Sequence, residues 1–212
     1  MVTGAAAKTD ENILARKMGI YMFLAKFYSG KLLKMDLEMW HKFGAMLREE
    51  VASFDNERMK KGIVSMLQDS RVLEELEYEF NRLFVGPDRL EAAPYESVYR
   101  SAERVLMQAE TMAVRKFYER AGLTLINKNR EPDDHLAFEL EFACYLLEKS
   151  LQDNGYAELY EAFLKLHLFQ WVEKHCELVR EKTANSLITG ISNILQGLME
   201  VEREHMNKMG RS

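Results

Sequence analysis

Proline is nearly absent from this chain, and its positions constrain the fold more than any other feature of the sequence. The only three prolines are Pro87, Pro94 and Pro132. Because proline breaks the interior of a helix, the long flanks on either side of these residues are free to form helices. Apolar residues recur in both flanks at three- and four-residue spacing, which is the helical period. The pattern predicts an all-α protein, a compact bundle of about eight to ten helices.

Capping and turn residues predict where these helices begin and end. We expect Asp10 to cap the first helix and Gly30 to end it, and we expect Asp36 to open the second, which carries Met39 and Met46 among its apolar positions. Further helices are expected over residues 59–67, 71–85, 97–121, 132–152, 156–182 and 184–206, with one or two helices in the fifth of these ranges.

The loops between the helices contain no repeat, low-complexity tract or obvious linker. We therefore expect residues 1–212 to form a single helical domain, with the loops at about 85–97 and 122–132 as part of the fold. The segment "LTLINKNRE" at 123–131 alternates briefly between apolar and polar residues. It is predicted to be an extended connection, because a short strand would have no second strand to pair with.

Composition and charge exclude several classes of protein. Cys144 and Cys176 lie far apart, so a disulfide scaffold is not expected, and a reducing compartment such as the cytoplasm fits better. The net charge is −5, with 34 acidic and 29 basic residues, and no basic stripe suggests nucleic-acid binding. No apolar run is long enough for a membrane span, and the amino-terminal residues lack the pattern of a secretory leader, so we expect neither a spanning helix nor a leader.

Motifs of common enzymes are also missing from the sequence. There is no glycine-rich phosphate loop and no G-x-S-x-G elbow, and the E-x-x-H pair of Glu202 and His205 does not by itself make a di-iron site, which needs two such motifs and two further glutamates on facing helices. We therefore expect no catalytic residue, no cofactor and no bound metal.

Two stretches mix apolar residues with acids, as neither a pure core segment nor a pure surface segment does. The first is residues 82–99, and the second is "EPDDHLAFELEF" at 131–142. If Pro132 begins a helix, Asp133 and Asp134 lie in its first turn, where the helix dipole favours negative charge. Glu139 lies further in, beside Phe138, as at the rim of an apolar groove. The six acids between Glu131 and Glu148, without Lys or Arg, indicate either a basic partner or a solvated helix face.

Four blocks of the sequence resemble the motifs of the TorD/DmsD family of redox enzyme maturation chaperones. They are "EFNRLFVGP", "APYESVY", "EPDDHLAFELEF" and "HLFQW", in this order over about 90 residues. The resemblance implies a cytoplasmic, all-helical chaperone, a monomer or a helix-exchanged dimer, that binds the twin-arginine signal peptide of a molybdopterin-containing oxidoreductase. It also implies that the chaperone holds the apo form of the enzyme back from export until its cofactor is inserted.

Carried over by position, the resemblance implies ten signal-peptide-binding residues. They are Phe84, Pro94, Tyr95, Glu96, Ser97, Glu131, Asp133, Asp134, His135 and Glu139. The chemistry agrees, because a receptor for two guanidinium groups and an apolar run needs carboxylates beside an apolar groove. We expect Asp134→Asn to weaken discrimination between Arg-Arg and Lys-Lys peptides, and Tyr95→Ala to lower the affinity for both. His135 has two alternative roles, tuning of binding by pH or hydrogen bonding at the helix start.

Two other functions are alternatives to peptide binding. One is a metal-dependent helical hydrolase that uses Asp133, Asp134, His135 and Glu139 as ligands. The other is an assembly subunit that forms a complex with a large partner and has no affinity for an isolated peptide.

Overall fold

A computed structural model describes residues 3–68, 73–87, 90–101, 109–124 and 131–209, with side chains described from residue 12 to residue 208 within those ranges. The described part is helical and contains no strand, which confirms the all-α prediction. The helices are α1 (Thr3–Tyr28), α2 (Leu37–Val51), α3 (Glu57–Leu67), α4 (Leu76–Phe80), α5 (Glu96–Arg100), α6 (Ala109–Arg120), α7 (Leu136–Ser150), α8 (Asn154–Phe163), α9 (Phe169–Lys182) and α10 (Ser186–Met209). Two π-helical segments, Asn81–Val85 and Leu164–Leu168, continue α4 and join α8 to α9.

The first helix ends where predicted but begins earlier. Gly30 adopts a positive φ of 73°, which glycine reaches without steric cost, and its N–H donates to the carbonyl of Phe27 at 2.8 Å. Asp10 lies inside α1, so its predicted capping role is wrong. Alanines 5–7 precede it, and their high helix propensity is consistent with the earlier start.

The capping prediction for the second helix is confirmed, but two of its apolar positions face solvent. Asp36 accepts a hydrogen bond from the N–H of Met39 at 2.8 Å and caps α2. The buried face of α2 carries Trp40 and Leu47, whereas the side chains of Met39 and Met46 are exposed. The stripe of α2 that contacts the core is therefore the neighbouring one, which carries Trp40 and Leu47.

The helices predicted around the two central prolines are shorter than expected. Before Pro87, the regular helix α4 begins only at Leu76. It continues into the π segment Asn81–Val85, which is followed by Gly86 at a φ of 101°. The helix predicted over 97–121 starts at Glu96 and stops at Ser101, whose backbone is extended. Helical structure resumes in α6, which Gly122 follows at φ 74°.

The third proline precedes its helix by several residues. Pro132 was expected to begin α7, but the helix begins at Leu136 with His135 as its N-cap. Asp133 and Asp134 therefore precede the helix and do not occupy its first turn. Helix α7 packs against α1 and α8 and is buried around most of its circumference near its start, which is the environment of a central helix.

Several predictions fall outside the described residues. They include the extended connection at 125–130 and the helix start near Ser70. The assignment of residues 1–212 to a single domain stays a prediction. Within the described ranges, no helix combines the length and apolarity that crossing a membrane requires.

Candidate functional site

The two acid-rich stretches, from which the ten predicted binding residues come, meet in space at the start of α7. Tyr95 and His135 form an isolated antiparallel bridge. The N–H of Glu96 donates to the carbonyl of Asp134 at 3.1 Å, and the N–H of Leu136 donates to the carbonyl of Pro94 at 2.8 Å. We call this contact the Tyr95–His135 junction. It fixes the position of the loop before α5 against the start of the central helix.

Asp134 is a structural carboxylate at this junction. Its side chain is fully buried, and one oxygen accepts from the N–H of Ser97 while the other accepts from the hydroxyl of Thr111, both at 2.8 Å. Ser97 belongs to the first turn of α5, where N–H groups have no partner within the helix. Asp134 thus caps α5 from a distant part of the chain and ties it to α6.

Asp133 faces α6 as well. Its carboxylate forms an ion pair with Arg115, and its carbonyl accepts a hydrogen bond from the Tyr118 hydroxyl at 2.9 Å. Only 2% of Asp133 is exposed. A guanidinium of this chain therefore already occupies this carboxylate.

Glu96 is fully buried and is held by two groups. One carboxylate oxygen lies 2.8 Å from Nδ1 of His167, in the π segment before α9. The other oxygen pairs with Arg100, one helical turn along α5. Arg100 also donates to the carbonyl of Leu166 at 2.8 Å, so the pair joins α5 to the π segment.

Glu139 lies deepest in this cluster. It accepts from the indole N–H of Trp171 at 3.3 Å, and its other oxygen has no hydrogen-bond partner among the described residues. Burial and the neighbouring carboxylates of Glu96 and Asp134 raise the pKa of Glu139 well above its usual value. Glu139 is therefore a buried acid of the interior, and the predicted position at a groove rim is wrong.

His135 acts at the helix start, in one of the two roles expected for it. Its Nδ1 accepts from the N–H of Ala137 at 3.1 Å, which caps α7. Its ring packs edge-on against Tyr95, with 4.9 Å between ring centroids. Burial lowers the pKa of His135 to about 4, so the imidazole is neutral near neutral pH.

Few of the ten predicted residues are accessible to a peptide. Phe84 lies in the aromatic core against Tyr28 and His175, and Pro94 is buried. The accessible ones are Glu131, which is exposed, and Tyr95, which is partly buried. Burial raises the pKa of Tyr95 to about 12, with smaller contributions from Glu131 and Asp134. The binding roles of the ten residues stay predictions, but the carboxylates are not the open acidic rim that the sequence suggested.

The geometry does not favour the alternative of a metal-dependent hydrolase. Asp133, Asp134 and His135 are each engaged with a different partner of the chain. Within the described part of the chain, no three His, Cys, Asp or Glu side chains are grouped so that they could hold one metal ion together.

A groove lies beside the junction, between residues 90–99 and α9. Its volume is about 830 Å³, which is in the range of ligand pockets. Apolar side chains contribute to its lining, and acids and lysines of α9 line it as well. The lining residues are Leu90, Glu91, Ala93, Val98, Tyr99, Lys174, Glu177, Leu178, Glu181 and Lys182. We call it the α9 groove.

Arg82 and Tyr99 give the α9 groove fixed walls. Arg82 pairs with Glu91 at 2.7 Å and donates to the carbonyl of Lys182 at 2.8 Å, so it connects the two sides. Tyr99 stacks on Trp171, with 5.3 Å between ring centroids, and its hydroxyl lies 3.0 Å from Nδ1 of His175. An ion pair with Glu91 on one side and a tyrosine packed against the core on the other therefore fix the groove walls.

Sequence reasoning missed most of the groove and several partners of the buried acids. The pairing of Glu96 with Arg100 had a signal, because residues four apart share a helix face. Glu173, Glu177 and Glu181 repeat at the same spacing and predict an acidic face on α9. No local signal pointed to Arg115 as a partner of Asp133, because the two lie in different elements.

Comparison with known proteins adds a family match. A family model described as nitrate reductase delta subunit matches residues 49–177. Within this range lie α3 to α8, the Tyr95–His135 junction and most of α9.

Several curated proteins are similar to the chain. The chaperone protein TorD of Aliivibrio salmonicida is 24% identical over 201 residues, which cover 86% of this chain and 91% of that protein. The probable Tat proofreading chaperone DmsD of Haemophilus influenzae is 28% identical over 59% of this chain and 58% of that protein. The Tat proofreading chaperone DmsD of Salmonella typhi is 35% identical over 46% of each chain.

A solved structure shares the fold. It is the crystal structure of a putative redox enzyme maturation protein from Archaeoglobus fulgidus. The TM-score is 0.53 at 18% sequence identity, over 88% of this chain and 93% of that one. The likeness confirms the expected helical architecture.

Proposed function

This chain belongs to the nitrate reductase delta subunit family, and from that premise we propose that it is a chaperone for the maturation of a molybdopterin-containing oxidoreductase. It binds the twin-arginine signal peptide of the apo enzyme in the cytoplasm and delays export until the cofactor is inserted. Its role is binding without catalysis. The names of its relatives, which are chaperones and Tat proofreading chaperones, support this role.

The observation that carries the proposal is the α9 groove beside the Tyr95–His135 junction. Its lining combines apolar side chains such as Val98 and Leu178 with carboxylates such as Glu177. A signal peptide of this class offers two guanidinium groups followed by an apolar run. The groove supplies both kinds of complementary surface within one site.

Typical interaction energies indicate how much apolar contacts and ion pairs each contribute to the binding free energy. A micromolar complex requires about −8 kcal/mol. Exposed arginine–carboxylate pairs contribute roughly 0.2–1 kcal/mol each, which is too little by itself. Burial of four or five leucine-sized side chains at about 1.5–3 kcal/mol each supplies the larger share, against roughly 2–5 kcal/mol for ordering the peptide. The apolar surface thus provides affinity, and the acids select arginine and set its orientation.

Among the ten predicted residues, Tyr95 and Glu131 are accessible, and we assign the peptide contacts to these two. The buried members support the site from behind by fixing the junction. Glu96 and Asp134 do so through backbone and side-chain hydrogen bonds that hold the first turn of α5.

Calorimetric titration with synthetic peptides tests this function. The probes are a peptide with two adjacent arginines and an apolar run, the same peptide with two lysines, and a scrambled peptide. We expect the Arg-Arg peptide to bind most tightly and the scrambled peptide least. Tyr95→Ala should lower the affinity for both ordered peptides. Binding that is absent, or equal for all three peptides, contradicts the proposal and favours an assembly subunit that recognises only a folded partner.

A further inference from the structure

We propose that the arginines of the bound peptide are received by the exposed acidic face of α9, with Glu177 as the residue that selects arginine. The buried carboxylates of the Tyr95–His135 junction do not receive them. This inference rests on the proposed function and assigns the polar part of its site. It commits the α9 groove to one occupant, the basic end of a signal peptide.

The buried carboxylates are already committed to groups of the chain itself. Asp133 holds Arg115, Asp134 holds Ser97 and Thr111, and Glu96 holds His167 and Arg100; their exposures are between 0% and 2%. The second oxygens of Asp133 and Glu139 have no hydrogen-bond partner among the described residues, but both are buried, so a peptide guanidinium could reach these carboxylates only by displacing the groups around them. A displaced buried partner loses its hydrogen bonds without regaining water, so the exchange is unfavourable.

The acidic residues that line the α9 groove differ in whether they form ion pairs within the chain. Glu91 is paired with Arg82 at 2.7 Å, and Glu181 is paired with its sequence neighbour Lys182 at 3.0 Å. Glu177 is exposed and forms no ion pair with any described residue. It is therefore the groove carboxylate that can accept a guanidinium without first losing an intramolecular partner.

Glu177 stands in the middle of an acidic row along α9. Glu173, Glu177 and Glu181 are spaced by four residues, so they follow one face of the helix over about 12 Å. Glu173, at one end of the row, pairs with Arg203 at 3.6 Å and does not line the groove, so Glu177 and Glu181 are the carboxylates of the row that line it. Lys174 and Lys182 line the same groove. Because their charges offset part of the negative charge, the groove favours a short basic segment at its carboxylates over a long basic tract.

One end of the α9 groove already holds a guanidinium. The Nε and Nη2 atoms of Arg82 donate to the two oxygens of Glu79 at 3.1 and 2.8 Å, in the forked geometry that favours arginine over lysine. Its Nη1 pairs with Glu91, a lining residue of the groove. One lining carboxylate of the groove, Glu91, therefore already pairs with an arginine of this chain.

Apolar surface continues from the acidic row. Val98, Tyr99 and Leu178 line the same groove and are each partly exposed. Tyr99 is held in place by Trp171 and His175 behind it. An apolar run that follows the arginines can therefore lie on a preorganised surface, which reduces the ordering cost of binding.

Titration of charge-reversal variants with the Arg-Arg peptide tests the assignment. Glu177→Lys should bind the peptide roughly tenfold more weakly, because one attraction is lost and one repulsion is added. Glu204→Lys is the matched control, since Glu204 is exposed on α10 and the variant has the same net charge. It should stay within about twofold of the wild type. Glu177→Gln should narrow the preference for the Arg-Arg over the Lys-Lys peptide.

The outcomes separate this inference from the proposed function. A wild type that binds no Arg-Arg peptide contradicts the function itself. A wild type that prefers the Arg-Arg peptide, together with a Glu177→Lys variant of unchanged affinity, overturns only the assignment to α9. Sedimentation of the same proteins tests whether a second copy of the chain occupies the groove instead. A dimer that Glu177→Lys dissociates, while peptide binding stays unchanged, would show that the groove is a dimer interface and would overturn the assignment.

Discussion

At the scale of residues, burial decides what an acidic side chain does in this protein. Glu131 and Glu139 belong to the same twelve-residue stretch, yet the first is exposed and the second is fully buried. A buried carboxylate needs partners from its own chain, whereas an exposed one is available to a ligand. The same distinction separates His135, a neutral buried cap, from the exposed His41 on α2.

We expect His135 to make the fold sensitive to acid. Its pKa falls from the usual 6.5 to about 4 in the folded state, so the unfolded chain binds more protons between these values. The contribution of His135 to the free energy of unfolding is therefore fully present above pH 6.5, and about 3 kcal/mol of it is lost as the pH drops to 4. His135→Asn keeps an acceptor for the cap and should flatten this dependence, measured by urea unfolding across the same pH range.

The variant His41→Asn is the control, because His41 is exposed. Its pH dependence should match that of the wild type. Burial also lowers the pKa of His175, to about 3, and this contribution is common to all three proteins. Equal slopes for His135→Asn and the wild type would show that the imidazole is not neutral in the folded state.

At the scale of elements, close helix contacts and π segments set the geometry. Helices α3 and α10 approach at Gly62 and Gly190, where a Cβ on Gly62 would lie 2.6 Å from the carbonyl oxygen of Gly190. The π segment Leu164–Leu168 inserts an extra residue per turn before α9. His167 and Trp171 both reach the buried acids from this part of the chain.

We expect Gly62→Ala to destabilise the protein by about 1–3 kcal/mol, because a backbone oxygen and the side chain of Ile194 leave no space for the methyl group. Gly19→Ala is the matched control: its nearest neighbour is the flexible side chain of Glu50, at 3.6 Å. Since alanine favours helix over glycine, Gly19→Ala should gain up to about 1 kcal/mol. Urea unfolding measures both, and a neutral Gly62→Ala would contradict the close approach of α3 and α10.

At the scale of the whole molecule, a buried ion pair joins the two ends of the described chain. Lys17 of α1 donates to Glu202 of α10 at 2.7 Å, with 2% and 1% of the side chains exposed. Beside it, the hydroxyls of Tyr21 and Tyr160 lie 3.0 Å apart and connect α1 to α8. Burial, together with Glu202, raises the pKa of both tyrosines well above the usual value.

We expect Lys17→Met to cost about 3–5 kcal/mol of unfolding free energy, because it leaves the Glu202 carboxylate buried without a counter-charge. Lys17→Met combined with Glu202→Leu should recover most of that loss. The control is Lys42→Met in the pair Lys42–Glu38, which has the same 2.7 Å separation but is exposed, and it should cost at most about 0.5 kcal/mol. Additive effects in the Lys17–Glu202 cycle would contradict a coupled buried pair.

Helical period and turn chemistry determined most of the architecture from the sequence. The all-α class, the cap at Asp36 and the helix end at Gly30 follow from local rules and were predicted correctly, and the ends predicted at 85 and 121 lie within one residue of those observed before Gly86 and Gly122. Local rules failed where a distant element supplied the partner. Asp134 was assigned to a first turn by its position after Pro132, but its oxygens bind α5 and α6.

The sequence by itself determined that this protein is a helical bundle and which family it resembles. Only the tertiary structure decided which acids are buried. The reason is that helical periodicity records which faces are apolar but does not record which distant cation or N–H group will meet a carboxylate. Arg115, Thr111 and His167 close around the junction from other helices, and the α9 groove is left as the accessible acidic surface beside it.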